Sequence, residues 1–187
     1  MSKGKLFVMS GASGVGKSTV LSKVMAARQD LQFSVSATTR QPRPGEVDGK
    51  SYYFVTQQQF EQMIAEDAFV EYDCHMANYY GTPEAQLEEK LTCGSVILDI
   101  EPVGAGNVRK KRPDATLIFI APPSLEELER RLRGRGDTPE DQIQLRLERA
   151  RWEMDQSKWY DYVVINDQVD ACADKILSII AQKCDAE

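Results

Sequence analysis

The sequence predicts an α/β protein whose parallel sheet is covered by helices on both faces. Short apolar runs recur along the 187 residues, at positions 6–9, 96–100, 117–121 and 162–165. Stretches whose apolar residues follow helical spacing lie between these runs. Strands that are apolar throughout are typical of parallel sheets, because helices then pack against both of their faces. We therefore predict a three-layer core built from these strands and their connecting helices.

Capping signals mark where several of the helices begin. Residues 56–59 and 124–127 each have a hydroxyl residue followed three positions later by Gln or Glu, which is a capping box. Hydroxyl–proline pairs at 82–83 and 138–139 predict two further helix starts, because proline favours the first helical position. The helix after the second pair has one apolar face, made by Ile143, Leu147, Ala150 and Met154.

The most specific motif is the glycine-rich stretch at residues 11–18, which fits the pattern G-x-x-x-x-G-K-[ST]. A strand precedes it and an amphipathic helix follows it, so its backbone N–H groups would face a bound polyphosphate. The alternative interpretation of this motif is a glycine-rich turn that contains a lysine by chance. Lys17 would supply positive charge for the β- and γ-phosphates, and the Ser18 hydroxyl would be a ligand for Mg²⁺. The predicted nucleotide-binding residues are Gly11, Ala12, Ser13, Gly14, Val15, Gly16, Lys17, Ser18 and Thr19.

Net charge and cysteine usage limit the classes of protein. The formal net charge is −6, so the molecule as a whole would not attract nucleic acid. The four cysteines and the single histidine show no metal-binding spacing, and we expect reduced thiols. The sequence has neither an apolar run of transmembrane length nor a secretory leader pattern, so we expect a cytoplasmic protein without membrane contact.

Arginines are concentrated in three places despite the acidic composition. Four of them fall within residues 130–135, three more within 146–151, and Arg40 and Arg43 form a smaller pair. The planar guanidinium group binds phosphate oxygens through two hydrogen bonds at once, so these clusters favour local phosphate binding. A solvated helix face is the alternative for each cluster taken alone.

Residues 34–93 interrupt the alternation of strands and helices. A hydroxyl-rich run at 34–39 alternates in part, and a turn cluster follows at 41–45. Strand patterns at 52–55 and 69–72 flank a short helix. We predict a small mixed sheet inserted after the first strand–helix unit.

The inserted segment carries the pattern S-x-T-T-R-x-P-R-x-G-E-x-x-G-x-x-Y-x-F-V at 36–55, which resembles the nucleotide-binding segment of guanylate kinases. Glu71, the run N-Y-Y-G at 78–81 and the run L-R-G-R-G at 132–136 are also similar to that family. With the glycine-rich loop and the run V-I-N-D at 164–167, the resemblance extends in order over nearly the whole chain.

This resemblance implies a nucleoside monophosphate kinase in three parts. The core would be residues 1–33, 94–124 and 148–187, the GMP-binding lobe residues 34–93, and the lid residues 125–147. The implied reaction is phosphate transfer from ATP to GMP, and to dGMP, with Mg²⁺. Such transfer needs positioning and charge neutralisation rather than a covalent nucleophile. The expected partners are therefore small molecules, and the sequence does not indicate an oligomeric state.

The resemblance also implies roles for individual residues. The GMP phosphate would be held by Arg40, Arg43, Tyr52 and Tyr80. The ATP phosphates and the transferring group would be held by Lys17, Arg131, Arg135 and Arg146, and Asn166 would belong to the ATP site. Asp99 ends an apolar strand, where a carboxylate would reach the Mg²⁺ shell. Packing against the inserted sheet is the alternative role for the two tyrosines.

Selection of guanine follows from hydrogen-bond chemistry. Guanine offers N1–H and an exocyclic amine as donors, whereas adenine offers an acceptor at N1. An ionised Glu71 can only accept, so it would pair with guanine and be repelled by the lone pair of adenine. Hydroxyl groups of Ser36 and Thr82 could donate to guanine O6. An exposed strand residue is the alternative role for Glu71.

The chain departs from the guanylate kinase pattern after Asp99. The family commonly reads Asp-x-Asp followed by two residues and glycine, whereas this run is D-I-E-P-V-G at 99–104. Glu101 therefore replaces an aspartate that, by resemblance, binds the guanine edge, and Pro102 favours an extended backbone at Glu101. Glu101 either accepts from guanine N2 or pairs with a nearby arginine. Ala12 replaces a common proline, and we expect little effect because the loop binds through its N–H groups.

Two alternatives differ from the guanylate kinase prediction in class. One is a related kinase with another phosphate acceptor, such as a ribose bisphosphate. The other is a non-catalytic module that binds phosphorylated peptides. The complete set of guanine-side residues favours guanylate kinase over the first, and Lys17 and Ser18 favour it over the second.

Overall fold

The computed structural model describes residues 4–75, 77–134 and 139–185. The strands are β1 (Leu6–Gly11), β2 (Gln32–Phe33), β3 (Ala37–Thr38), β4 (Tyr53–Phe54), β5 (Phe69–His75), β6 (Asn78–Pro83), β7 (Val96–Asp99), β8 (Thr116–Ala121) and β9 (Tyr162–Ile165). The α-helices are α1 (Lys17–Ala27), α2 (Gln57–Ala65), α3 (Glu84–Cys93), α4 (Pro102–Lys111), α5 (Leu125–Gly134), α6 (Glu140–Gln156) and α7 (Val169–Asp185), and a 3₁₀ helix spans Ser157–Trp159. Within this described part, the helices are too short or too polar to cross a bilayer.

The larger sheet has five strands in the order β2-β7-β1-β8-β9, and all neighbouring strands run parallel. Every residue of β1 and of β8 is buried, because these two strands lie inside the sheet and helices cover its faces. The predicted α/β core with a parallel sheet is confirmed. Each of the four predicted apolar runs forms a strand of this sheet.

The smaller sheet lies within the segment that interrupts the alternation. Its order is β4-β3-β6-β5, with a parallel β3–β4 pair and antiparallel pairs elsewhere. It has its own small apolar core, in which the ring of Phe60 stacks on Phe69 at 4.4 Å and on Tyr79 at 5.1 Å between centroids. Phe60 comes from α2, so this helix holds the smaller sheet together.

The hydroxyl-rich run at 34–39 forms less strand than its partial alternation indicates. Only Ala37 and Thr38 are in β3, whereas Ser34 still donates its backbone N–H to Ile97 in the larger sheet. Residues 34–36 therefore cross from one sheet to the other. Ser36 lies in this crossing, next to both sheets, which places its side chain at a cavity between them.

The predicted helix starts have mixed outcomes. Thr56 and Gln59 form a complete capping box, and the Ser124 hydroxyl accepts from the Glu127 backbone N–H at 3.1 Å. The helix predicted after the pair at 82–83 is present, since α3 begins at Glu84. The predicted cap at Thr82 is wrong, because Thr82 is in β6 and its hydroxyl bonds to a neighbouring strand. Of the last predicted pair, residue 138 lies outside the described residues, and α6 follows Pro139.

Parallel strands bring several functional side chains to one edge of the larger sheet. The glycine-rich loop follows β1, Asp99 ends β7, and Asn166 follows β9. Because parallel strands end at the same edge, these three features from distant parts of the chain lie close together. The smaller sheet contributes further side chains beside this edge.

Candidate active site

A cavity of about 270 Å³ lies between the carboxyl edge of the larger sheet and the smaller sheet. Most of its lining consists of residues that the sequence marks as candidate site residues. Its walls are made by Lys17, Ser36, Tyr52, Glu71, Asp73, Tyr80, Asp99, Ile100, Glu101 and Gly104. The structure therefore brings the phosphate-loop lysine and the predicted guanine-binding glutamate into one cavity, although they come from different sheets.

The glycine-rich loop has the backbone conformation that its glycines allow. Gly14 and Gly16 have φ angles of 84° and 92°, which L side chains rarely adopt. Gly16 is the N-cap of α1 and no side chain caps this helix, so N–H groups of its first turn remain available to an anion. Asn166 supports the loop from outside, because its side-chain N–H donates to the Val15 carbonyl at 2.8 Å.

Lys17 forms an ion pair with Asp99 at 2.5 Å between Nζ and Oδ1. Burial opposes the charged form of Lys17, but Asp99 and Glu101 outweigh it and raise the pKa of Lys17 above its ordinary value. Lys17 is therefore charged at neutral pH. Ser18 follows it directly in the chain and is exposed on the first turn of α1.

Arg40 lies in a polar cluster at the rim of the smaller sheet. Its guanidinium donates to both carboxylate oxygens of Glu46, at 2.8 and 3.0 Å, and lies 5.3 Å from the ring centroid of Tyr52. Tyr52 packs edge-on against Tyr80 at 6.1 Å. The Arg43 side chain is exposed, and its backbone N–H donates to Glu46 at 2.7 Å. The four predicted phosphate-binding residues thus lie along one short stretch of surface.

Glu71 is the most buried acidic residue of the cavity wall, with 5% of its surface exposed. Burial raises its pKa to about 7, and the neighbouring charge of Asp73 acts in the same direction. Hydrogen bonds from Thr82 oppose this rise, and the Thr82 hydroxyl donates to Oε1 at 2.6 Å. On the other side, a Cβ atom built on Gly104 would lie 2.4 Å from Oε2. The glutamate is therefore held between a hydroxyl donor and a glycine.

Glu101 lines the cavity and also pairs with an arginine of α6. Its Oε2 atom lies 3.2 Å from Nη2 of Arg149, whose Nε donates to Glu153 Oε1 at 2.9 Å. The other oxygen of Glu153 accepts the backbone N–H of Ser13 in the glycine-rich loop at 2.6 Å. Both interactions considered for Glu101 from the sequence thus remain geometrically open, because the residue pairs with an arginine without leaving the cavity wall.

The predicted lid arginines have different surroundings. Arg131 donates to the carbonyls of Asn166 and Asp167, at 2.8 and 3.3 Å, which anchors α5 beside the glycine-rich loop. Arg146 is half-buried on α6, and none of the acidic side chains described in the structure forms an ion pair with it. Arg135 lies outside the described residues.

Several site residues escaped the sequence reasoning. The pattern offered a signal for some of them: Asp73 is two positions from Glu71, so both face the same side of β5. Glu153 interrupts the apolar face of α6 with an acidic residue, which is a sign of a specific partner. The site residues that were given no individual role are Glu46, Asp73, Gly104, Arg149 and Glu153, although Glu46 and Gly104 lie in the family patterns and Arg149 in an arginine cluster.

The fold and the cavity together define a class of protein. A strand–glycine loop–helix unit with a charged lysine binds a nucleoside triphosphate. The cavity beside it is lined by the aromatic rings of Tyr52 and Tyr80, with Arg40 close to Tyr52, and by the buried Glu71. These features define a phosphate-loop kinase whose acceptor carries a phosphate and a polar ring.

Comparison with known proteins identifies the family. The family model for guanylate kinase matches residues 3–183. Guanylate kinases from two strains of Thermus thermophilus are 50% identical over 179 residues, which is 95% of this chain and 81% and 80% of theirs. A guanylate kinase from Synechococcus sp. is 45% identical over 95% of this chain and 82% of its own length. The chain therefore belongs to the guanylate kinase family, and it is an enzyme of that family.

Solved structures agree with this assignment. The crystal structure of guanylate kinase from Anaplasma phagocytophilum matches with a TM-score of 0.78 and 33% identity, over 99% of this chain and 89% of that one. A gluconokinase from Sinorhizobium meliloti, with a TM-score of 0.53 and 16% identity, shares the fold alone.

Proposed function

We propose that this enzyme transfers the γ-phosphoryl group of ATP to GMP in the cavity described above, with GDP and ADP as products. Family membership supports the reaction. The observation that carries the assignment of the site is that Lys17 of the phosphate loop and the buried Glu71 line one cavity. With guanine at Glu71 and the triphosphate of ATP at the loop, the phosphate of GMP would face the γ-phosphate that it accepts.

The phosphate of GMP is assigned to the polar cluster of the smaller sheet. Arg40 already makes a bidentate contact with a carboxylate, the geometry in which it would bind two phosphate oxygens. Tyr52 and Tyr80 lie beside it and line the cavity. Arg43 is exposed close by and adds a second positive charge. Two anionic substrates must meet here, so convergent positive charge is the main requirement.

Guanine is assigned to the opposite end of the cavity. An ionised Glu71 would accept from guanine N1–H and from the exocyclic amine. Since the Thr82 hydroxyl proton points at Glu71, we assign Thr82 to orienting the carboxylate and Ser36 to donating to O6. Glu101 is the second acceptor for the amine. None of these contacts involves the ribose 2′ position, so the proposal includes dGMP as a second substrate.

Mg²⁺ is assigned to Ser18 and Asp99. Mg²⁺ is held in such enzymes by one or two protein oxygens together with substrate phosphates, and it keeps several waters. Asp99 fits this arrangement because it contacts Lys17, the residue next to Ser18, and so lies beside the phosphate loop. When bound, Mg²⁺ neutralises charge on the β- and γ-phosphates. Lys17 supplies the second positive charge at the same place.

The remaining assignments concern the three parts of the chain. Residues 1–33, 94–124 and 148–187 are proposed as the core, 34–93 as the GMP-binding lobe and 125–147 as the lid. Arg131 and Arg146 are proposed to contact the transferring phosphate. Arg135 keeps the same assignment as a prediction from the family pattern.

A coupled assay of ADP release tests the proposed function. ATP and Mg²⁺ are supplied with GMP, dGMP, AMP, a ribose bisphosphate, or no acceptor. The proposal expects rapid ADP release with GMP and dGMP and little with the others. Release that depends on the ribose bisphosphate, or binding of a phosphorylated peptide without any ADP release, would contradict it.

A further inference from the structure

A continuous set of polar contacts joins the phosphate loop to the guanine end of the cavity. The backbone N–H of Ser13 donates to Oε2 of Glu153 at 2.6 Å. Oε1 of the same carboxylate accepts from Nε of Arg149 at 2.9 Å. Nη2 of Arg149 then donates to Oε2 of Glu101 at 3.2 Å. We call Glu101, Arg149 and Glu153 the carboxylate bridge.

We propose that Glu153 and Arg149 are positioning residues, through which GMP at Glu101 and ATP at the phosphate loop strengthen each other's binding. This inference rests on the proposed function, since it takes Glu101 as a contact to the guanine amine. Neither Glu153 nor Arg149 needs to touch a substrate. Glu153 fixes the phosphate loop through Ser13, and Arg149 links the position of Glu153 to that of Glu101.

The burial of Glu153 indicates a specific role. None of its side chain is exposed, and it lies on the face of α6 that also buries Leu147 and Ala150. A buried carboxylate is costly unless hydrogen-bond donors satisfy it, and removing a donor leaves the charge uncompensated. Here the two donors come from the phosphate loop and from Arg149. The loop and the helix are therefore tied to each other through this side chain.

The bridge leaves the anion-binding part of the loop unobstructed. Glu153 contacts Ser13, which precedes the turn at Gly14 and Gly16. The first turn of α1 has no side-chain cap. Glu153 thus holds the start of the loop from outside, while the N–H groups nearer α1 remain oriented for a phosphate.

Arg149 is suited to contact two carboxylates at once. Its guanidinium is planar, with Nε directed to Glu153 and Nη2 directed to Glu101. Burial opposes its charged form, but Glu153 and Glu101 raise the pKa of Arg149 above its ordinary value. Glu153 is four residues along the same helix, so this half of the bridge is fixed by helix geometry. A displacement of Glu101 would therefore shift Arg149 and, through it, Glu153.

Coupling of this kind is reciprocal. When guanine binds, it fixes Glu101 and with it the conformation of the carboxylate bridge. ATP then binds to a bridge that is already ordered, so its binding costs less conformational entropy and is tighter. Glu101 and Glu153 also interact directly, so removing Arg149 takes away the cation that holds the two carboxyl groups together while leaving both substrate contacts in place. Removing Glu153 also releases the phosphate loop itself. The two substitutions therefore have different signatures.

The test measures binding of the non-transferable imido analogue of ATP by calorimetry, with and without saturating GMP and with Mg²⁺ throughout. The variants are Arg149→Met, Glu153→Ala and Glu153→Gln. Arg151→Met is the matched control, because Arg151 is exposed on the same helix and belongs to no part of the site. Thermal unfolding of each variant checks that it is folded.

The parent and Arg151→Met are expected to bind the analogue several-fold more tightly with GMP than without it. Arg149→Met is expected to reduce this factor to about one. Glu153→Ala is expected to weaken analogue binding about tenfold even without GMP, the loss typical for a hydrogen bond to a charged group. Glu153→Gln is expected to recover most of that loss, because its amide oxygen still accepts from Ser13.

Three results would overturn the inference. They are absence of the GMP effect in the parent, a full GMP effect in Arg149→Met, and equal analogue binding in the parent and Glu153→Ala. Equal losses in Glu153→Ala and Glu153→Gln would also overturn it, since the charge rather than the Ser13 contact would then matter. Failure of the proposed function has a separate signature, because the parent would then release no ADP with GMP, while the measurements on Glu153 without GMP would be unaffected.

Discussion

The hydroxyl of Thr82 donates a hydrogen bond of 2.6 Å to the carboxylate of Glu71, across the antiparallel pair β5–β6. The two residues are opposite each other in the strand register. Thr82 is fully buried and Glu71 almost so. This contact fixes the orientation of the one acidic group whose burial raises its pKa to about 7, among the groups that line the cavity. Under the proposed function, the choice of nucleotide base would therefore be sensitive to both side chains.

Removing the Thr82 hydroxyl should weaken GMP binding. Thr82→Val keeps the shape of the side chain but leaves Glu71 without this donor, which raises the pKa of Glu71 further and frees its orientation. We expect KM for GMP to rise about tenfold while KM for ATP changes less than twofold. Thr82→Ser retains a hydroxyl and is the control. If steady-state kinetics give equal KM values for GMP in the valine variant and the parent, Thr82 does not orient Glu71.

The stability of the folded protein should depend on pH through Glu71. Its pKa is about 7 when folded, against an ordinary value of 4.5. Between these pH values the unfolded chain binds fewer protons than the folded one, so the free energy of unfolding falls as pH rises. The difference corresponds to about 3 kcal/mol. Urea unfolding at pH 5 and pH 7.5 should show this fall in the parent relative to Glu71→Gln, whereas parallel profiles of the two proteins would refute it.

Gly104 should be a specificity position, because a methyl group there has no room. A Cβ atom would lie 2.4 Å from Oε2 of Glu71, so Gly104→Ala must displace that carboxylate. We expect KM for GMP to rise at least tenfold with little change in KM for ATP. Gly106→Ala is the matched control on the same helix, since its Cβ would be 3.8 Å from Trp159, an ordinary contact. Similar GMP kinetics in the two alanine variants would show that the Glu71 position tolerates the methyl group.

Loss of the Lys17 charge should abolish turnover. Lys17 is paired with Asp99 beside the phosphate loop. In the proposed reaction its positive charge neutralises the negative charge of the phosphoryl group during transfer. Lys17→Ala should lower kcat by several orders of magnitude with a small change in the unfolding midpoint. Lys23→Ala is the control, since Lys23 is half exposed on the same helix and pairs with Asp170 instead. Near-normal ADP release by Lys17→Ala with GMP would refute the proposed mechanism.

Local sequence patterns predicted the elements of this fold well. The strand before the glycine-rich loop, the loop and the helix after it are determined by neighbouring residues, because apolar spacing and glycine placement act over a few positions. The same holds for the capping box at Thr56 and Gln59. Resemblance to the family pattern predicted most of the cavity residues. The structure brings to one cavity Lys17, Ser36, Tyr52, Glu71, Tyr80, Asp99 and Glu101.

The sequence allowed an arginine partner for Glu101 without saying which one, and it predicted no other pairing between distant elements. Glu101 and Arg149 are 48 positions apart, and Ser13 and Glu153 are 140 apart. They come together because α6 lies beside the glycine-rich loop in the folded chain. At Thr82 a local signal was misleading. A threonine before a proline favours a helix cap, but the pairing of β6 with β5 directs the Thr82 hydroxyl to Glu71. Tertiary contacts overrode a local preference at that residue.

The central claim is that the buried carboxylate of Glu71 selects guanine as the acceptor base. The most direct test is kcat/KM for GMP and for AMP, measured at pH 8 in the parent and in Glu71→Gln. The amide keeps the size of the side chain but loses the charge and one acceptor. We predict that kcat/KM for GMP falls ten- to hundredfold, equivalent to about 1–3 kcal/mol, and that the preference for GMP over AMP shrinks. An unchanged GMP-to-AMP ratio would contradict the claim and place base selection elsewhere.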